Sequence, residues 1–317
     1  MNLIDEAVIL EIFGIRMYAF GLYVSLGTLA AMVVLAICGR VLRLKSGTVP
    51  LTALCAIVSG ALISRLAFCL MNRELGRITP LSFWPQLNGG GWSLFGLICG
   101  VYLGGLISAK IAGEKVGKIM DSLSLAMLPL IVAERMGENR IEDFDISRPL
   151  DSTFLKGTFL TVDEGEPCLA TYYVAAIVAA ALFITLAIRF LRKEKDGSLT
   201  VAFLLLFGAA SIITESLRYD RFLSVSFVGL QQVAAAIMLG LGVALAIRRS
   251  GRPQSAVSIL AAISIPLFVV IVIGLEFALD RTTWNKILIY LGMILTVSIP
   301  AGLGLKLLSM GKGTKDE

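Results

Sequence analysis

Residues Met17–Ala36 read MYAFGLYVSLGTLAAMVVLA, with no charged side chain among them. A helix of about 20 residues rises about 30 Å, the thickness of a bilayer's hydrocarbon core. The run therefore reads as a transmembrane helix. Comparable runs follow at Val49–Met71, Trp92–Ile111, Ile119–Ala133, Ala170–Ala187, Leu199–Thr214, Phe222–Ile247, Ala256–Leu275 and Ile287–Leu308. The expected fold is an all-α integral membrane protein of about nine transmembrane helices. The fourth and sixth runs are short and need their polar ends to complete a span.

Composition agrees. Of 317 residues, 57% are hydrophobic and only 16% charged, whereas soluble domains carry about 25% charged residues. The net charge of +5 comes without blocks of Lys/Arg and interleaved aromatics, so no nucleic-acid partner is expected. Cys38, Cys55, Cys69, Cys99 and Cys168 have neither CxxC nor metal-ligand spacing, so no metal, disulfide framework or other cofactor is expected. The chain has no His, so any proton transfer must use other side chains. Met1–Glu11 holds Asp5, Glu6 and Glu11 without a basic residue, which is not a signal-peptide pattern.

Lys/Arg bias sets the orientation. Alternate loops carry Arg40, Arg43 and Lys45; Lys110, Lys115 and Lys118; Arg189, Arg192, Lys193 and Lys195; Arg248, Arg249 and Arg252. The tail adds Lys312 and Lys315, whereas the N-terminus and the Glu138–Glu166 segment are acidic. The N-terminus is expected outside, the C-terminus in the cytoplasm, and the span count odd. Arg135–Glu166 is too long for a simple connection. Its Phe144, Phe154, Phe159 and Leu160 point to a small extracytoplasmic cap between spans four and five; the alternative is a disordered acidic loop.

Ionisable groups at membrane depth are costly and commonly functional. Arg16 and Tyr18 fall at the outer start of the first span, Arg65 in the outer third of the second, and Arg135 at the outer end of the fourth. Glu215 and Arg218 fall at the outer end of the sixth. Arginine binds phosphate bidentately, so this level is a candidate site for an anionic lipid headgroup. The competing reading is that each arginine snorkels to the interface, which fits Arg65 and Arg135 less well because apolar residues flank both. Asp121 reads as a structural partner at the start of a helix. The glycine-rich stretch Asn88–Gly100 has no Gly-Lys-Ser/Thr and is not a P-loop; its small residues let helices approach closely.

These residues, in this order, resemble the prolipoprotein diacylglyceryl transferase family. The resemblance runs from about Ile15 to Arg249. Ile15-Arg16-Met17-Tyr18 is similar to the family's opening motif, with Tyr18 at its functional tyrosine, and Arg65 matches the second-span arginine. Gly90–Gly100 resembles Gly-Gly-Leu-Ser-Phe-His-Gly-Gly-Leu-Ile-Gly. Asp121 keeps its spacing to Arg135, and Glu134-Arg135-Met136-Gly137-Glu138-Asn139 resembles the start of the family signature, closed by Arg148-Pro149. Glu215 matches the sixth-span glutamate, and Gln231 or Gln232 the glutamine opening the seventh. Four positions depart. The family histidine falls on Phe95, its signature asparagine on Glu138 (with Asn139 one residue away), an arginine on Ser211 and a tyrosine on Phe207.

The resemblance implies a seven-span core over residues 1–250, with the cap at 135–167, and two additional helices and a cytoplasmic tail at 251–317. It implies a multi-pass protein of the bacterial cell membrane. The implied reaction moves diacylglyceryl from phosphatidylglycerol to the lipobox cysteine thiol of lipoprotein precursor signal peptides. Arg135 and Arg65, with Arg16, Gly137, Asn139 and Arg218, would hold the headgroup, and Tyr18 would position it. Without His, Glu138 or Glu215 is the candidate base, although Glu138 paired with Arg135 or Arg140 would do no chemistry. The alternative is a catalytically silent, lipid-binding relative. A solute transporter ranks last, because the two halves lack matching broken helices.

Overall fold

Every apolar run contributes a helix. The computed structural model describes residues 8–12, 15–71, 91–138, 148–149, 157–163, 167–192, 194–218, 224–225 and 228–311. Asn88–Gly90, Asn139, Arg140, Phe144 and Phe154 lie outside the described residues. Among the described residues, nine helices are long and apolar enough to cross a membrane. They are α1 (Ala19–Val41), α2 (Thr48–Met71), α3 (Leu94–Ala112), α4 (Val116–Gly137), α5 (Thr171–Leu191), α6 (Ser198–Leu217), α7 (Leu230–Ser250), α8 (Ala256–Arg281) and α9 (Lys286–Met310). The protein is an all-α integral membrane protein.

A helix satisfies its own backbone groups, so it extends past its apolar run wherever polar side chains find partners. Thus α4 takes in Arg135 and α6 takes in Glu215. The seventh run behaves otherwise. Ser224–Val225 (β6) and Val228–Gly229 (β7) pair antiparallel, and α7 begins only at Leu230, where the Gln232 side chain accepts from the Gly229 N–H at 3.0 Å. A second hairpin precedes α1: Val8–Ile12 (β1) pairs with Ile15–Tyr18 (β2), Glu11 opposite Arg16. Arg16 and Tyr18 therefore lie on a strand, and Tyr18 occupies the N-cap position of α1. Between α4 and α5, Arg148–Pro149 (β3), Thr161–Asp163 (β4) and Pro167–Leu169 (β5) form a sheet in the order β3-β5-β4. Beside it Ala170 and Tyr172 are buried with Val162 and Tyr173 packed on them. Of the side chains read as packing a cap, Phe144 and Phe154 lie outside the described residues and Phe159 is exposed.

The contacts divide the chain into two units, Met1–Ile184 and Thr185–Glu317. In the first, α2 packs along α3 and α1 along α4. Lipid tails are as apolar as leucine, so such pairs depend on close packing rather than on the hydrophobic effect. Gly96, Gly100 and Gly104, four residues apart on one face of α3, supply it. A Cβ on them would lie 2.7 Å from Ala67 Cβ, 2.7 Å from Gly60 Cα and 2.6 Å from the Cys55 carbonyl carbon, respectively. The Ser59 hydroxyl bridges the seam, donating to the Gly100 carbonyl at 2.7 Å. Gly27 of α1 meets Leu130 and Ala133 of α4 in the same manner.

In the second unit α6 packs against α7 and α9, and α8 against α9 and α7. Leu205 is fully buried on α6, with Gly242 of α7 and Gly304 of α9 opposite its side chain. Lys195 and Arg249 close one end by donating to the carbonyls of Gly311 and Asp196.

Candidate functional site

Arg65 sits near the end of α2, and its neighbour Ser64 fixes what lies opposite. The Ser64 hydroxyl donates to the Ser93 carbonyl at 2.8 Å and accepts from the Ser93 N–H at 2.9 Å. Ser93 in turn caps α3, its hydroxyl accepting from the Gly96 N–H at 3.2 Å, which satisfies one otherwise orphaned donor. Just before it, Gly91 has φ +80° and a Cβ there would collide with the Phe68 ring, so only glycine fits. This turn presents the Gly91 carbonyl to Arg65, whose Nη1 donates to it at 2.8 Å. The guanidinium also lies 5.9 Å from the ring centroids of both Phe68 and Trp92, within cation–π range. Arg65 is 3% exposed. It faces protein and does not snorkel.

Arg135, on the last turn of α4, is 5% exposed and is held by two carboxylates. Its Nη1 donates to Glu138 Oε1 at 2.9 Å, and its Nε lies 3.4 Å from Glu134 Oε2. Glu138 occupies the C-cap position of α4 and is itself buried. Gly137 presses this end of α4 onto α1, where a Cβ would lie 3.0 Å from Tyr23 and 3.1 Å from Phe20. Two carboxylates thus face one guanidinium. Glu138 is tied to the helix end through its backbone N–H, which donates to the Glu134 carbonyl.

The remaining positions divide plainly. Tyr18 is half-buried at the start of α1. Phe95 is buried on the first turn of α3, an apolar ring where the family has histidine. Asp121 is buried on the second turn of α4, whose N-cap position belongs to Lys115; it is not a helix-start group. In the second unit Glu215 is buried near the end of α6, with Arg218 Nε 4.0 Å from its Oε2, a loose ion pair. One turn earlier Ser211 is buried, and Phe207 stacks on Phe203 with centroids 5.1 Å apart. That face of α6 is filled by small and apolar groups where the family carries arginine and tyrosine.

A family model described as prolipoprotein diacylglyceryl transferase matches residues 7–248. The chain belongs to that family. A search of the curated proteins gives no match. The prolipoprotein diacylglyceryl transferase match includes every site residue above and stops inside α7, leaving α8 and α9 outside it. Membership brings a transferase function in lipoprotein biosynthesis, with lipid and lipoprotein precursor substrates in general. Ser64, Phe68, Trp92 and Glu134 are parts of the arrangement that the sequence reading did not assign. Glu134 was readable, since it adjoins Arg135. Phe68 lies three residues beyond Arg65 on one helix face, the spacing that brings side chains together.

Proposed function

We propose that this chain transfers the diacylglyceryl group of phosphatidylglycerol to the cysteine thiol of a lipoprotein precursor signal peptide. The observation that carries the reading is the buried Arg135 with Glu138 on its Nη1 at 2.9 Å. The lipid phosphate takes over the guanidinium, which matches two phosphate oxygens as well as it matches a carboxylate. Glu138 is thereby released beside the bound headgroup and accepts the thiol proton. The thiolate is the nucleophile. It attacks the glyceryl carbon next to the phosphate ester oxygen; the C–S bond forms, the C–O bond breaks, and glycerol 1-phosphate leaves with the bonding pair. Arg135 opposes the charge growing on that leaving group.

Arg65 contributes positive charge from a fixed position, and Tyr18 orients the headgroup. Arg16, Gly137 and Asn139 are its other candidate contacts; Arg218 and Glu215, in the second unit, are a further candidate contact and candidate proton acceptor. The orientation that goes with this reading places the N-terminus outside and the C-terminus in the cytoplasm of a bacterial cell membrane.

The test is direct. Purified protein in phosphatidylglycerol nanodiscs is incubated with a lipobox peptide, and mass spectrometry follows the peptide. A thiol carrying diacylglyceryl, absent when serine replaces the peptide cysteine, supports the reading. Bound phosphatidylglycerol with an unmodified peptide supports the second reading, a lipid-binding relative without transfer. That reading draws on one observation: Phe95 is buried and carries no proton acceptor in the histidine position.

A further inference from the structure

Glu276 lies on α8, outside the family match, and is 1% exposed. An ionisable group so deeply buried in a membrane helix is costly unless its partners are fixed. Its Oε1 accepts from Gln232 Nε2 at 2.7 Å. The same Nε2 donates to the Ile212 carbonyl of α6 at 3.3 Å, while Gln232 Oε1 accepts from the Gly229 N–H at 3.0 Å. Gln232 thus donates to two acceptors, on α6 and α8, and accepts from one donor, which together fix the way its amide faces. From α9, Tyr290 donates its hydroxyl to the Ser216 carbonyl at 3.2 Å, and the Ser216 hydroxyl lies 3.9 Å from Met293 Sδ. Ser216 is in the last turn of α6, where carbonyls have no intrahelical partner. Leaving such a group unsatisfied in a membrane is costly.

Ile212 and Ser216 bracket Glu215 by three residues and by one. The final turn of α6, which ends in the Glu215–Arg218 pair, is thus fastened on both sides of Glu215. One fastening runs through Gln232 to α8 and the other comes directly from α9. We infer that the α8–α9 hairpin is a positioning device for the Glu215–Arg218 end of α6, with Glu276, Gln232 and Tyr290 as its positioning residues. The inference rests on the reading of Glu215 and Arg218 as functional groups. It gives the two helices beyond the family match a task within the transferase.

The experiment compares full-length wild type with Tyr290→Phe, Glu276→Ala and Glu276→Gln in phosphatidylglycerol nanodiscs. Amide hydrogen exchange of a peptide covering residues 212–218 reports the end of α6. Transfer to the lipobox peptide, resolved into kcat and KM, reports its use. Tyr290→Phe and Glu276→Ala are expected to speed exchange in this peptide at least tenfold and to lower kcat about tenfold, with KM within twofold. Glu276→Gln keeps the accepting oxygen and is expected to restore both. Unchanged exchange at residues 212–218 in Tyr290→Phe and Glu276→Ala overturns the inference. So does a Glu276→Gln defect as deep as that of Glu276→Ala, which would show that the charge matters and not the hydrogen bond. If wild type transfers nothing, the transfer reading fails while exchange still decides the positioning.

Discussion

Replacing Glu138 by glutamine tests the exchange at Arg135 by both sign and size. The wild-type contact is a charge-assisted hydrogen bond of 2.9 Å between buried groups. Such bonds contribute about 1.5–3 kcal/mol and neutral ones about 0.5–1.5 kcal/mol, so the substitution costs roughly 1–1.5 kcal/mol. Stranding a buried charge costs about 3–5 kcal/mol, but here Glu134, 3.4 Å from Nε, still balances Arg135. The variant should fold, with Tm lower by about 2–6 °C. Its phosphatidylglycerol affinity should rise, by up to about tenfold, because the phosphate no longer competes with an anion and 1.4 kcal/mol is a factor of ten. Its transfer rate should fall about 100-fold or more, the usual contribution of a positioned general base. Single-turnover transfer and a lipid-binding titration on the same preparation measure both. Transfer within threefold of wild type would remove Glu138 as the base, and weakened binding would remove the exchange.

Arg135→Lys keeps the charge and loses the planar fork, so phosphatidylglycerol binding should weaken about tenfold in the titration; unchanged affinity in a well-expressed variant reassigns Arg135 to structural pairing. Glu215→Gln distinguishes the two candidate acceptors: if it and Glu138→Gln both transfer at wild-type rates, thiol activation belongs to the arginines or to solvent. Gly100→Ala puts a methyl 2.7 Å from Gly60 Cα and should destabilise by about 1–3 kcal/mol, seen as a lower Tm in detergent; a neutral result would mean that α2 and α3 are not in contact at that level. A reporter fused after Lys315 should read cytoplasmic and one inserted at the exposed Gly157 turn extracytoplasmic, and the opposite result would reverse the orientation.

The helices were legible because a span is written in the composition of consecutive residues. Hairpins were not, since Val8–Ile12 and Ile15–Tyr18 are short and their pairing adds no pattern to hydropathy. The Arg135–Glu138 pair was within reach of local reasoning, because i,i+3 spacing puts the two together, and pairing was one of the alternatives read. Arg65 was legible as an unusual charge, but its partner, the Gly91 carbonyl, comes from a different helix–loop junction. Glu276 shows the limit of window reading: the eighth span as read stopped at Leu275, one residue short. Its Gln232 bond spans α7 and α8, a contact that no local spacing specifies.

The glycine face of α3 bears on how a phospholipid reaches the interior of this protein. A lipid leaves the bilayer sideways and can pass only where two helices part. Opening a seam usually means withdrawing a side chain that fills it. Between Gly96 and Gly104, about 12 Å of helix, α3 meets α2 largely backbone to backbone, with Leu97 and Val101 of α3 pressed on Gly60 of α2. Parting the two helices would forfeit that contact along the whole seam at once, together with the Ser59 bridge to Gly100. The seam is a weld, and lipid entry by parting α2 from α3 would have to break all of it.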